Sequence, residues 1–468
     1  MHIRDKVALT ATVSIVLWAA LPISCAKTPA TSFDADAHVI PPECIEGERR
    51  CEVNRMETCV FGHFGSTTYC TDYCDPIDGC VGDHEHFDSF IWIANTGEGT
   101  LSKVDTRLAE EVARYLTCPD SNSICDPSRT SVNLHGDVVV TNRGCDRCDE
   151  YLSTSSLTKF AASVVDCVDR NGNGTIETSS GPTDVKVWGE DECMIWSTEL
   201  PDATEFGERP HGARATAWDG QTDEETGQGG HVWVGTCGPA YFAPPVRLYR
   251  LDGDTGLVDE RVEIEDVHCA YGAAVDNDNG FWFLGTDSET ITRLDMVNLT
   301  YKTRRTSCGY GITIDDQGRV WTGGRTFQDG VEETSCVARY DPLSDIEDTV
   351  NVPWDLEWHE DRPWFRGIAT GVASSAGYIW AAETSGVLYQ IDEDTMEVLP
   401  VAKLDFSRQM IGVAVDYLGF VWTVDRLSSS VYKYDPATFQ RLDVPIGFRP
   451  YTYSDMTGMQ LRNAIIVR

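Results

Sequence analysis

The run Asp169-Arg170-Asn171-Gly172-Asn173-Gly174-Thr175-Ile176-Glu177 places oxygen-bearing side chains at its first, third and fifth positions, a glycine at the sixth and a carbonyl donor at the seventh. That alternation wraps several oxygens around one hard cation, so structural Ca2+ is the expectation, with Asp169, Asn171, Asn173, Thr175 and Glu177 as ligands. Ser180 stands where the twelfth-position acid belongs, so Asp184 or Asp191 has to serve. A plain Asn-Gly turn is the other reading. Cys167 and Cys193 flank the stretch and can staple its ends, which would make its role rigidity.

A second group of residues recurs at the edges of short apolar segments. Arg129, Arg209, His211, His268, Tyr271, Tyr310, Arg366, Arg408, Arg449 and Tyr451 stand before such segments; Asn95, Asn142, Arg143, Asp287, Arg325, Glu383, Asp425 and Arg426 stand after them. Forked guanidinium groups beside aromatic walls suit a polar or anionic ligand. The binding candidates are therefore Arg209, Tyr271, Tyr310, Arg325, Arg366, Arg408, Asp425, Arg449 and Tyr451. The same arginines can instead pair with Glu383, Asp287 and Asp425 in a structural network. His211, His268 and Glu383 have the chemistry for proton transfer beside a metal ion, although a lone His is more often a hydrogen-bonded turn residue. No nucleophile triad and no Gly-Lys-Ser/Thr phosphate loop can be singled out from spacing.

The elements that must position these groups are repeated. Seven segments hold a Trp or Val between apolar or β-branched neighbours, at Ile91-Trp92-Ile93, Val138-Val139-Val140, Val232-Trp233-Val234, Phe281-Trp282-Phe283, Val320-Trp321-Thr322, Ile379-Trp380-Ala381 and Val421-Trp422-Thr423. Glycine-led strands such as Gly272 to Asp276, Gly311 to Asp315 and Gly412 to Asp416 precede most of them, and a strand ending in Asp follows most. Four short antiparallel strands in each unit of about 40–50 residues is the signature of propeller blades, which must stack in a ring to bury their faces. The first unit lacks its glycine-led strand, and the tail from Pro450 to Leu461 supplies an orphan one. A seven-bladed, all-β propeller closed by a C-terminal strand is the expectation. Trp196 permits an eighth blade, but no glycine-led strand precedes it, so Met194 to Thr198 is better read as the closing strand of the second. Loops before the glycine-led strands and after the Trp strands then open on one face, around the central channel.

Residues 1–24 read as a signal peptide: Arg4 and Lys6 precede an apolar run, and Cys25 follows directly. Lipidation of Cys25 after cleavage is the expectation, with an exported chain anchored to the outer membrane or cell surface; a freely secreted protein is the alternative. Residues 25–43 are a flexible tether and 44–83 a small disulfide-rich module with six cysteines and little core, equally suited to recognition or to spacing. The propeller occupies 88–468, with the calcium-like stretch inside an insertion at 166–192. Seventeen cysteines in an exported chain imply bridges; Cys237, Cys269, Cys308 and Cys336 fall in mouth loops, with pairing open. A net charge of −38 excludes nucleic acid as a partner, because binding it requires phosphate neutralisation by Lys and Arg. A monomer contacting the membrane through lipid alone, and taking a polar or anionic small molecule, a glycan or a protein, is expected.

Pro210-His211-Gly212, Tyr310-Gly311-Ile312-Thr313 and Ile291-Thr292-Arg293-Leu294-Asp295 resemble the turn, glycine-led strand and Ile-x-Arg-x-Asp strand of virginiamycin B lyase and its NHL-like relatives, over residues 90 to 468. That resemblance implies the seven-bladed propeller. It also implies Mg2+ held by a turn His and a Glu after the Trp strand of the same blade, moving a proton from substrate carbon to leaving oxygen. Here His211 matches the turn and Glu383 the acid, but they belong to different blades. The leading expectation is binding without turnover; the alternative is a metal-dependent lyase or hydrolase acting on a lactone or ester through His211 or His268 with Glu383.

Overall fold

The computed structural model describes residues 49–52, 55–60, 63–69, 73–75, 79–81, 90–119, 125–144, 155–200, 212–237, 245–286, 289–326, 334–352, 364–404 and 409–465. The chain divides into two units, Met1–Asp83 and His84–Arg468. In the first, Arg49–Glu52, Arg55–Val60 and His63–Tyr69 form an antiparallel sheet, and Tyr73–Asp75 pairs with Gly79–Val81. Cys25, Arg209, His211 and Arg408 lie outside the described residues.

The second unit is a seven-bladed propeller. Six sheets are four-stranded meanders, beginning at Pro127–Val132, Ala213–Trp218, Cys269–Val275, Gly311–Ile314, Phe365–Thr370 and Met410–Val415 for blades 2 to 7. Blade 1 contributes Phe90–Asn95, Thr100–Asp105 and Glu110–Leu116 from the start of the unit. Its fourth member is the tail: Tyr451 N donates to Ala94 O at 2.8 Å, Ala94 N to Thr452 Oγ1 at 2.8 Å and Trp92 N to Met456 O at 2.9 Å. The tail thus closes the ring, but it is less regular and shorter than the strand expected. Gly458, at φ 81°, turns the chain out of it, and Leu461 lies in a helix, Met459–Ile465. The buried Asp455 carboxylate starts that helix by accepting Gly458 N and Leu461 N. Met194–Glu199, with Trp196, is the outermost strand of blade 2, so the described residues form no eighth blade.

The recurring residues have identifiable work. Trp92, Trp233, Trp321, Trp380 and Trp422 are completely buried between blades. In blades 4, 5 and 7 the indole N–H is held by the Asp that ends the innermost strand: Trp282 on Asp276 at 2.7 Å, Trp321 on Asp315 at 2.7 Å and Trp422 on Asp416 at 2.8 Å. Blade 6 has no such Asp, and Trp380 Nε1 is left without a partner. Glycine leads the innermost strands because neighbouring blades touch there main chain to main chain. A Cβ on Gly311 would stand 2.3 Å from Arg366 O, and one on Gly367 2.6 Å from Val413 N.

The terminal helix covers one end of the channel. Ala464 packs with Ala274, Ile312 and Ile314, near the ends of their strands, while Gln460 Nε2 reaches Ile368 O and Arg462 reaches Leu134 O. The other end, where the innermost strands begin, is the one left for a ligand.

Candidate functional site

Where each innermost strand begins, the residue just before its first small residue faces the channel. In blades 3, 4, 6 and 7 the pairing register slips at this point, between Ala213 and Ala215, Ala270 and Ala273, Phe365 and Gly367, and Met410 and Gly412. A bulge leaves one residue unpaired and re-aims its side chain. The residues so displaced are Arg214, Tyr271 together with Gly272, Arg366 and Ile411. Arg129 before Thr130, Tyr310 before Gly311 and Tyr451 before Thr452 complete one position per blade, giving a ring of three Arg, three Tyr and one Ile.

The three phenols converge. Tyr271 Oη lies 3.0 Å from Tyr310 Oη and 3.1 Å from Tyr451 Oη, and Tyr310 Oη lies 3.2 Å from Tyr451 Oη. Arg366 Nη1 donates to Tyr310 Oη at 2.8 Å. The Arg129 guanidinium lies 3.2 Å from the centre of the Tyr453 ring, 5.0 Å from that of Tyr271 and 5.5 Å from that of Tyr451. Arg214 stands 5.1 Å from the Tyr271 ring, and Arg143 and Arg426 each 5.0 Å from Tyr451. Toward the opening, the half-buried Trp364 is stacked by Arg366 at 3.9 Å and Arg325 at 4.2 Å, and meets Tyr310 edge-on.

Charge in this cluster is unevenly answered. Asp126 pairs with Arg143. Arg129 is 0% exposed; Nη1 donates to Ser128 O at 2.8 Å, while Nε and Nη2 have no partner and no carboxylate is in reach among the described residues. Burial lowers its pKa to about 10. Burial also opposes ionisation of Tyr451, but Arg129, Arg143, Arg214 and Arg366 together outweigh that and bring its phenol down to about 7. Tyr271 moves up, from burial first and then from the charge on Tyr451, and Tyr310 moves up from burial first, then from Tyr271 and then from Tyr451.

Of the remaining candidates, Glu383 is fully buried, and its carboxylate accepts Trp364 N at 2.8 Å, Ser385 N at 3.2 Å and the Ser385 and Thr384 hydroxyls. Burial pushes its pKa up to about 7. It positions Trp364. His268 is half-buried beside Cys269 and makes no hydrogen bond or ion pair among the described residues. Asp425 turns inward to accept Leu427 N, and Arg449 is exposed beside Phe448, away from the ring. Sequence reasoning placed Arg129, Tyr271, Tyr310, Arg366 and Tyr451 at the mouth, all but Arg129 among the binding candidates, and did not single out Arg214, Tyr453 or Trp364. Arg214-Ala215-Thr216-Ala217 repeats the spacing of Arg366-Gly367-Ile368-Ala369, and Ala215 in the glycine's place was the available signal.

In the insertion, Asp169 Oδ1 accepts Gly172 N at 2.7 Å and Oδ2 accepts Gly174 N at 2.8 Å, while Asn171 and Asn173 accept Asn173 N and Thr175 N. Asn171 Nδ2 donates to Glu177. The acid that reaches the loop is neither Asp184 nor Asp191. Asp184 pairs with Ser180 and Lys186, and Asp191 with Thr178, Ser179 and Cys193 N. Glu192 instead accepts Arg170 N at 2.9 Å and Glu177 N at 2.8 Å. The Cys167–Cys193 bridge brings it there, because it ties the insertion's ends together. Cys237–Cys269 joins blades 3 and 4, Cys308–Cys336 ties the connection from blade 4 to blade 5 onto a strand of blade 5, and Cys118–Cys125 spans the step from blade 1 to blade 2.

No protein-family model matches the chain, and no curated protein matches it in sequence. Among solved structures, the periplasmic gluconolactonase of Pseudomonas aeruginosa is similar at a TM-score of 0.50 and 11% identity, over 77% of this chain and 97% of that one. A protein from Lactobacillus plantarum is similar at a TM-score of 0.49 and 11% identity, over 78% and 98%. A catalytically inactive virginiamycin B lyase from Staphylococcus aureus with quinupristin is similar at 0.46 and 13%, over 70% and 87%. At 11% identity the likeness to the gluconolactonase shows the fold alone, the propeller that the sequence resemblance implied, and leaves the chemistry to the residues.

Proposed function

We propose that the propeller binds a small anion, or the anionic group of a larger polar ligand, at the arginine and tyrosine ring, without turning it over. The observation that carries this reading is Arg129: a buried guanidinium with two nitrogens unpartnered and, among the described residues, no carboxylate beside it. Leaving a buried charge unanswered costs several kcal/mol, roughly 3–5 in measured cases, so a site of this kind is stabilised by an anion that answers it. Arg366 and Trp364, both half-buried, form the side from which a ligand can approach. A Mg2+-dependent lyase or hydrolase is supported less well, because the guanidinium groups repel a divalent cation and the Glu383 carboxylate is closed off. Calorimetric titration of the whole chain with sulfate tests the proposal. Wild type is expected to bind, and Arg129→Met to bind at least tenfold more weakly; equal binding by the two sinks it.

The chain is further proposed to be exported and held at a membrane surface by lipid on Cys25, a reading that the described disulfides favour. Partition into detergent by wild type but not by Cys25→Ser would support the anchor, and equal partition would remove it. Ca2+ is proposed for the loop at Asp169, Asn171, Asn173, Thr175 and Glu177, supported by the alternating spacing of its oxygen-bearing residues and by Gly174 at φ 82°, with the Asp169, Asn171 and Asn173 oxygens accepting the loop's own N–H groups.

A further inference from the structure

The ring holds an acid of its own. Tyr451 is buried, and it is faced from every blade element packed on it: Arg129 and Arg143 of blade 2, Arg214 of blade 3, Tyr271 of blade 4, Tyr310 of blade 5, Arg366 of blade 6 and Arg426 of blade 7, with Tyr453 from its own segment. Among the described residues, Asp126 is the carboxylate that enters this group, and it pairs with Arg143. Once Tyr451 loses its proton, its oxygen can accept from both the Tyr271 and the Tyr310 hydroxyls, each within 3.2 Å, while Arg366 supports Tyr310. Hydrogen bonds donated to an oxyanion are stronger than those to a neutral phenol.

We infer that Tyr451 is an exchangeable internal anion of the ring, so that an oxyanion ligand and the Tyr451 phenolate compete for the same guanidinium charge and, where Tyr451 is ionised, each ligand bound is accompanied by one proton taken up at Tyr451 Oη. This rests on the reading of the ring as an anion site and adds its proton coupling. The balance is simple: one O–H bond forms on Tyr451 with a proton from solvent, and no bond in the ligand is made or broken. The lowered pKa of Tyr451 agrees with this arrangement. Linkage then requires anion affinity to fall as pH rises through the Tyr451 midpoint, about tenfold for each further pH unit.

The test is a pH titration of the near-ultraviolet tyrosinate absorbance of the full chain, with and without saturating sulfate, paired with sulfate calorimetry in buffers of different ionisation heat. One tyrosine is expected to ionise near neutrality in wild type and in Tyr453→Phe but not in Tyr451→Phe, and sulfate should move that midpoint upward. Tyr451→Phe should bind sulfate with a constant independent of pH across the same range. If no phenolate forms near neutrality, or if bound sulfate leaves the midpoint in place without proton uptake, the coupling is wrong and the anion site stands. If sulfate fails to bind wild type at any pH, both fall together.

Discussion

Gly412 and Thr452 meet with no room for a side chain: a Cβ on Gly412 would lie 1.9 Å from the Thr452 carbonyl oxygen. This contact joins the last blade to the tail that completes the first, so it belongs to the closure of the ring. Gly412→Ala is therefore expected to destabilise by at least about 2–3 kcal/mol, the upper range for overpacking, since main chain cannot step aside. Gly323→Ala is the control; its Cβ would find Phe365 at 3.4 Å, an ordinary contact. Denaturant midpoints of the two variants should separate clearly, and equal midpoints would mean that the tail yields.

Arg129→Met should behave in an unusual way. Because the guanidinium is buried with two nitrogens unpartnered, its removal in low-anion buffer should leave the chain as stable as wild type or stabilise it by roughly 1–4 kcal/mol. Sulfate should then stabilise wild type and not the variant, through mass action on the folded state. A variant much less stable than wild type without added anion would instead make Arg129 a structural tie.

Glu383 carries a pH dependence of known sign. Its carboxyl rises from an ordinary 4.5 to about 7 on burial, so the fold prefers the protonated form. That contribution is fully present below the unfolded value and is lost as pH rises through the folded one, an effect on the order of 2–3 kcal/mol. Glu383→Gln should lose less stability than wild type between pH 5 and pH 8, as read from urea unfolding. The same slope in both proteins would place the titration elsewhere.

The proposal of Ca2+ at residues 169–177 can be tested at Glu192, the acid that reaches that loop. Ca2+ is expected to raise the thermal midpoint of wild type and of Asp184→Ala, but not of Asp169→Ala or Glu192→Ala. A Ca2+ response that survives loss of Asp169 would leave residues 169–177 as turns alone.

Much of the architecture was legible because propeller contacts repeat. Each Trp strand meets the same neighbours as the others, so Trp282, Trp321 and Trp422 recur with their Asp partners six residues earlier. Tyr310, Arg366 and Tyr451 could be placed at the mouth for the same reason, since each stands one residue before a repeated strand.

What tertiary structure alone decided are the relationships without a period. Sequence order separates Tyr271 from Tyr451 by 180 residues, yet ring closure puts their hydroxyls 3.1 Å apart. Glu192, not Asp184 or Asp191, reaches the loop because a disulfide folds the insertion back. Glu383 occupies the expected position after its strand but turns to the Trp364 backbone, since a buried carboxylate settles where N–H groups can answer it. The sequence by itself determined the seven repeated units and the small residues that let them touch; the closed ring decided which of their arginines and tyrosines share one charge.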